Sequence, residues 1–431
     1  MYDTWRQWVK IVVIGASAAG GSLCETARRL EPGAEITLIS EESLPYYSRC
    51  LLPLFINGAR SRTELQFRPS NWAEDLKLRV MVGKVASLSP REKKLLMSSG
   101  EIVEYDRLGV ATGASPYLPS IPGISSRGVF TLYNLQVALS IKRWLPTAKH
   151  IIVLGAGLIG VKAAVSMCET GKTITLIEQR PTILPDTIDA RAARIITSQL
   201  EGHGIQVLTG GTITEVRSGK DFKINSVLLA SGEVLKCDML VVAVGTRPNI
   251  DLFEKTGASI RKGVLIDKNM HTGLSGVFAA GDVAEVNRLD SKETLPVANW
   301  INSKREGRLA AYNMLGQSIP YRGRLRCNAV SIFGLPLVSV GRISAGKDDE
   351  DIMEDITTQT YRRFFFNDNR VVGMIMLGNT AEAGILTTLI WQSRDVASIR
   401  HRLLREGTGC LQVDSVGMWQ KSKNVHIRST I

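Results

Sequence analysis

The sequence predicts an α/β fold with two Rossmann-like units and a smaller α+β module behind them, on three observations. A strand, a glycine-rich turn, a helix, a second strand and a terminal carboxylate occur in that order twice, with 140 positions between Gly15 and Gly155. In each copy the glycines stand where a strand must enter a helix, the context that separates a dinucleotide-binding unit from a chance pattern. Beyond residue 325 the pattern changes to alternating strands and one helical run.

In chain order, "VKIVVIG" (9–15) is a buried parallel strand, "SLCETARRL" (22–30) a helix and "AEITLIS" (34–40) the second strand, closed by Glu41. Gly15 makes the tight turn and Gly20 lets helix and strand approach. Between them Ser17 replaces the middle glycine with another small residue, and Ala18 and Ala19 complete the loop. Amides at the start of the helix are expected to face a pyrophosphate, and Glu41 to accept from ribose hydroxyls. The second copy is intact. "HIIVLGAGLIG" (150–160) holds Gly155, Gly157, Leu158, Ile159 and Gly160, followed by the helix "VKAAVSMCETG" (161–171) and the strand "TITLIE" (173–178) ending on Glu178. A carboxylate there repels the 2′-phosphate of NADPH and favours NADH, a preference that Arg180 can soften. Two units point to an enzyme with one site for FAD and one for NAD(H).

Composition sets the outer bounds. A chain of 431 residues with 44% hydrophobic residues has material for two to three domains with large cores. No apolar run approaches the roughly 20 residues a membrane span needs; the longest, "IIVLGAGLIGVKAAVSM", is interrupted by Lys162. No membrane association is expected, and "MYDTWRQWVK" lacks an apolar signal core, so a cytoplasmic location is expected. Six scattered cysteines without a C-x-x-C pair argue against a metal site or a cysteine-bound cluster, and most read as small buried hydrophobes. A net charge of +12 suits an acidic partner. Nucleic acid is disfavoured, because no Lys/Arg block is interleaved with aromatics.

Four more segments carry a family resemblance: "YDRLGVATGASP" (105–116), "LVVAVGTRPN" (240–249), "GVFAAGDVAE" (276–285) and "LPVANWINSKREGRLAA" (295–311). In this order, and with the two glycine units, the chain resembles the FAD-dependent pyridine nucleotide-disulfide oxidoreductase superfamily. The resemblance implies two Rossmann-like dinucleotide-binding domains: a discontinuous FAD domain (1–115 and 246–322) and an inserted NAD(P)H domain (116–245). It also implies a small α+β C-terminal interface domain (323–405) and an extension (406–431). Ala111, Thr112 and Gly113 would lie beside the pyrophosphate, Asp282 after Gly281 would bond the ribityl chain, and Gly245 would close the exit from the NAD domain. Asn299 would open a helix aimed at the flavin, and Val85 joins the cofactor-binding set. In the interface domain, strands at 328–341 and 360–377 are expected, with a hairpin turn at Asn367-Asp368-Asn369 and one helical run over 381–404. Homo- or hetero-oligomers would form through this domain, and the extension would touch a partner.

Flavin takes a hydride from NADH and releases electrons singly, so residues near the ring decide where they go. The chain has no C-x-x-x-x-C, which removes the dithiol disulfide reductases. "PYYSRCLLPLF" (45–55) is similar to the redox phrase of single-cysteine NADH oxidases, peroxidases and coenzyme A-disulfide reductases, with Cys50 as the thiol. Tyr47-x-Arg49-x-x-Leu52 is equally similar to flavin reductases of rubredoxin and of assimilatory nitrite reductases, which need no redox cysteine. Arg49 serves either, by lowering a thiol pKa or by stabilising negative charge on flavin. Much of the superfamily has a glutamate two residues after the last glycine, paired with a cation near the flavin; here the residue is Lys162. Arg49 and Lys162 are therefore expected to face the ring as two unpaired cations, with Cys50 as the third candidate catalytic residue. Tyr361 is the only tyrosine beyond residue 325, which gives little support to thiol or peroxide chemistry. The expected function is electron exchange between NAD(H) and an iron–sulfur partner, as in FAD subunits of 2-oxoacid or aldehyde oxidoreductase complexes. The alternatives are a single-cysteine NADH oxidase or coenzyme A-disulfide reductase, and a flavoprotein that holds FAD and NADH without turnover.

Overall fold

Strand β1 (Lys10–Ile14) is buried from Ile11 onward, as a central parallel strand must be, and it runs into α1 (Ala18–Leu30). With β2 (Glu35–Ser40), β3 (Arg79–Val82) and β4 (Arg107–Val110) it forms a parallel sheet completed by Val277–Ala279, in the order Val277–Ala279, β4, β1, β2, β3. Registers pair Ile14 with Ile39 and with Val110, and Val110 with Ala279. The strand order thus reverses direction at β1, and the carboxyl ends of strands at such a switch point are where α/β sheets bind ligands.

The computed structural model describes residues 9–43, 46–289, 294–295, 299–344, 352–355, 360–400 and 403. The extension at 406–431, Pro45 and Pro296–Ala298 of the sequence-predicted segments lie outside them. Contacts divide the chain into two units, residues 1–186 with 193–325 and residues 187–192 with 326–431.

The first unit holds a second parallel sheet. Strand β5 (His150–Leu154), helix α2 (Leu158–Cys168) and β6 (Thr173–Glu178) repeat the first pattern, in a sheet ordered Ile205–Thr209, β6, β5, Met239–Val242, Val129–Thr131. Both helices begin earlier than the apolar pattern predicts, at Ala18 and Leu158, so the loop residues themselves form the first turns. Two short crossing strands, Ala114–Pro116 and Thr246–Pro248, pair antiparallel where the chain passes between the sheets. Helix α3 (Trp300–Met314) lies so close to α1 that a Cβ on Gly307 would stand 2.0 Å from the Ala19 carbonyl oxygen.

The second unit is an antiparallel sheet in the order Cys327–Ile332, Leu335–Gly341, Arg370–Leu377, Thr360–Asn367, Ile352–Asp355. Asn367 pairs with Arg370 across a two-residue turn whose Asp368 has φ +53°, a conformation Asp tolerates. The helix expected over 381–404 is shorter: α4 (Ala383–Gln392) ends at Ser393, which is left-handed at φ +49°. Asp395 then bridges Arg370, and the Val396 amide donates to the Asn369 carbonyl at 2.7 Å. Backbone bonding to the hairpin replaces the next helical turn. Among the described residues no helix is long and apolar enough to cross a membrane.

Candidate functional site

The glycine loops are built by contacts a side chain would break. Gly15 has φ +102°, and a Cβ there would stand 2.1 Å from the Ala111 carbonyl oxygen; one on Gly20 would stand 1.7 Å from that of Gly15. Gly155 (φ +97°) and Gly160 repeat this, with Cβ positions 2.6 Å from the Ala243 oxygen and 1.8 Å from the Gly155 oxygen. Gly157 differs. Its dihedrals, φ −72° and ψ −178°, suit any residue, and a Cβ there would meet no atom of the described residues within 4 Å. The bare helix start therefore leaves room for a ligand, as a closely approaching pyrophosphate needs. Ser17 stands at the same helix-cap position, and its hydroxyl makes no cap bond.

At the end of β6 the Glu178 carboxylate accepts from the Ala156 amide at 2.8 Å and the Arg180 amide at 2.9 Å, so the acid is anchored beside the second loop. Arg180 Nη1 lies 2.9 Å from Asp186 Oδ1 in an exposed, hence weak, pair. Leu158 lies in the first turn of α2, where Ile159 is 45% exposed, an apolar surface suited to a nucleotide. Glu41 is exposed just beyond β2.

The segment after β2 brings together residues that the sequence lists only separately. Arg49 opens a short turn, Arg49–Leu51, leading into the five-residue helix Leu52–Ile56. Its Nη2 donates to Glu42 Oε1 at 2.6 Å, its Nη1 to the Tyr133 carbonyl at 3.3 Å, and its guanidinium lies 4.3 Å from the centre of the Tyr133 ring. The Tyr47 hydroxyl donates to Glu42 Oε2 and accepts from the Leu135 amide at 2.9 Å. Burial pushes the hydroxyls of Tyr47 and Tyr133 up, which keeps both protonated. The expectation of two uncompensated cations is therefore corrected at Arg49, since the partner of Lys162 is a neutral carbonyl. Glu42 neutralises Arg49, and Lys162 Nζ donates to the Cys50 carbonyl at 3.1 Å. The short helix is tied to α2 by Ser166 Oγ donating to the Pro53 carbonyl and by Asn57 to Glu169 at 2.7 Å.

Cys50 is exposed, whereas burial pushes the thiols of Cys24 and Cys237 up to about 12 and marks them as packing residues. In the second unit Tyr361 is 1% exposed and its hydroxyl donates to Asp189 Oδ2 at 2.5 Å, a carboxylate that Arg363 also holds at 2.8 Å.

The crossover residues Thr112 and Gly113 are locked by Asn249. Its Nδ2 donates to the Thr112 carbonyl at 2.8 Å, its amide to the Gly113 carbonyl at 2.9 Å, and Ser115 Oγ donates to its Oδ1 at 2.7 Å. Gly113 and Gly245 make the turns at φ +70° and +110°. Asn249→Ala is expected to cost about 1–3 kcal/mol, chiefly by leaving the Thr112 carbonyl without its partly buried Nδ2 partner, read as a lower melting temperature with both glycine loops unchanged.

Asp282 follows Gly281 at the edge where β1 and β4 end. Burial pushes its carboxyl up, the Arg324 cation pulls it back, and Ser303 Oγ donates to it at 3.3 Å. Asn299 Oδ1 caps α3 by accepting from the Ile301 and Asn302 amides. Val85 is 5% exposed within the core, so its side chain packs the fold. Residues with no predicted role that share the site are Glu42, Tyr133, Asn249, Glu306 and Arg324. Of these, only Asn249 had a local signal, as the last residue of the segment 240–249.

Residues 9–307 match the family described as pyridine nucleotide-disulphide oxidoreductase, and residues 327–394 match the rubredoxin NAD+ reductase C-terminal domain. The chain is 26% identical over 407 residues to the epsilon subunit of NADH-dependent phenylglyoxylate dehydrogenase of Aromatoleum evansii, covering 93% of this chain and 96% of that one. It is 25% identical to the assimilatory nitrate reductase electron transfer subunit of Bacillus subtilis, covering 93% of this chain and 51% of that one. The chain thus spans about half the length of that relative. Among solved structures, a ferredoxin reductase from Rhodopseudomonas palustris matches with a TM-score of 0.82 at 26% identity, covering 87% of this chain and 92% of that chain. With residues 9–307 matched, the chain belongs to the pyridine nucleotide-disulphide oxidoreductase family, which binds FAD and NAD(H).

Proposed function

We propose that this chain is an NAD(H)-dependent FAD oxidoreductase that exchanges electrons with a separate iron–sulfur protein, as the flavin subunit of a larger complex. The observation that carries the reading is the cluster around Arg49, where the FAD-unit segment 47–56 is bonded to α2 of the NAD unit through Lys162 and Ser166. Bound FAD supplies hydride acceptance from NADH and single-electron release. The chain's own residues bind and orient. The Gly15–Gly20 loop, Asp282 and the 1–115 and 246–322 segments serve FAD, while Gly155–Gly160 and Glu178 within 116–245 serve NAD(H).

A protein acceptor is supported by the names of the relatives, which include an electron transfer subunit, a dehydrogenase subunit and a ferredoxin reductase. A net charge of +12 suits an acidic acceptor. The region 323–405 is the proposed interface for assembly. Mixing NADH-reduced holoenzyme with a ferredoxin or rubredoxin tests this: the expected result is prompt reduction of the acceptor at a rate that falls with salt. Electron delivery to oxygen or coenzyme A disulfide alone would overturn it.

One observation favours a second reading, a single-cysteine mechanism: Cys50 is exposed in the segment that carries Arg49. Against it, Tyr361 is buried on Asp189. Cys50→Ser is expected to leave NADH-to-viologen activity within about twofold of the parent, since the mechanism proposed here asks nothing of the thiol. Loss of that activity would transfer the reading to the thiol mechanism.

A further inference from the structure

Both polar backbone atoms of Gly281 end on one buried ion pair. Its amide donates to Glu306 Oε2 at 2.8 Å, and its carbonyl accepts from Arg324 Nη2 at 2.7 Å. Arg324 Nε and Nη2 reach Glu306 Oε1 and Oε2 at 2.5 and 2.7 Å, and the two side chains are 1% and 0% exposed. The Tyr321 hydroxyl donates to Glu306 Oε1 at 3.0 Å. Gly281 is left-handed at φ +80°, and a Cβ on it would lie 3.0 Å from the Cβ of Ala19 in the first turn of α1. The ion pair therefore presses the Gly281–Asp282 turn onto the start of the helix that follows the first glycine loop.

Stability alone is a poor reason for such a pair. Burying two charges costs several kcal/mol per ion, and apolar replacements of similar volume often hold a fold equally well. What an apolar pair cannot do is bond the amide and the carbonyl of one left-handed glycine at once. Arg324 Nη1 is buried without an acceptor among the described residues, and the guanidinium carries its positive charge between Glu306 and Asp282. The charged groups that act on Asp282 are Arg324, Glu306 and Arg49, with Ser303 as its hydrogen-bond donor.

We propose that Glu306 and Arg324 are positioning residues of the FAD site, holding Gly281 left-handed so that Asp282 presents its carboxyl group to the ribityl chain. The inference rests on the FAD site of the family and is independent of the electron acceptor. The test is FAD release from holoenzyme on dilution, followed by flavin fluorescence, which needs no acceptor and no turnover. Glu306→Gln, Arg324→Met and Asp282→Asn are each expected to release FAD about tenfold faster, the size of one lost hydrogen bond to a charged group. In the Asp282→Asn background, adding Glu306→Gln is expected to have no further effect, because both changes act through one carboxylate. Losses that add would mark a merely structural pair and overturn the proposal. The double variant E306Q/R324M removes both charges of the pair together and guards against misfolding. With its melting temperature retained, fast release is expected, and release at the parent rate would overturn the proposal.

Discussion

Alanine at Gly157 is expected to weaken NADH binding about ten- to a hundredfold while leaving the fold and the bound FAD intact; alanine at Gly160 is expected to destabilise the NAD unit itself. The two glycines belong to one motif, yet the space around them differs. At Gly157 the backbone is relaxed and the Cβ position meets no described residue within 4 Å, so a methyl group there is expected to meet only the bound nucleotide. A methyl group forced into a filled site costs about 1–3 kcal/mol, and each 1.4 kcal/mol is tenfold in affinity. At Gly160 the methyl would stand 1.8 Å from the Gly155 oxygen, and helix and strand must separate. NADH titration with thermal unfolding of both variants checks the contrast. A Gly157 variant that loses its melting temperature, or a Gly160 variant that keeps it, would show that the loop is built otherwise.

Removing Arg49 and removing its counter-charge are expected to move the flavin potential in opposite directions. Arg49→Gln deletes the cation that the proposed function places near the flavin and should lower the midpoint potential. Glu42→Gln leaves the guanidinium, which lies over Tyr133, without its carboxylate and should raise it. About 30 mV each way is the scale for 1.4 kcal/mol in a two-electron couple. Redox titration of the flavin absorbance in both variants decides it. Shifts of the same sign, or none, would remove Arg49 from the electrostatics of the site.

The glycine positions were legible because their constraints arise close at hand. Gly20 meets Gly15 and Gly160 meets Gly155, five positions apart in both cases, and a strand entering a helix at that spacing admits no other residue. Glu178 was legible for the same reason, as the last residue of a strand beside its own loop. Glu42 was not. It stands beside Glu41, and nothing local distinguishes two adjacent carboxylates, one of which the fold turns onto Arg49 and Tyr47. Glu306 and Arg324 were hidden for a different reason. Each lies among other charged residues, as in "SKREGR", and burial to 0% and 1% comes only when α3 packs on α1 with Gly281 between. The helix expected over 381–404 failed because periodicity measures what a segment can form alone, whereas the amide of Val396 found a better acceptor in the hairpin at Asn369.

By itself, then, the sequence determined the two dinucleotide units, their order and their acids, since strand, turn and helix are local responses to φ, Cβ volume and apolar period. Only the tertiary structure decided how the charges around Arg49 are paired. The family's usual ion pair is absent where spacing would place it, and Arg49 takes its counter-charge from Glu42 while Lys162 binds the Cys50 carbonyl. Coulomb energy depends on distance through space and on burial, and neither is written in the spacing of residues along a chain.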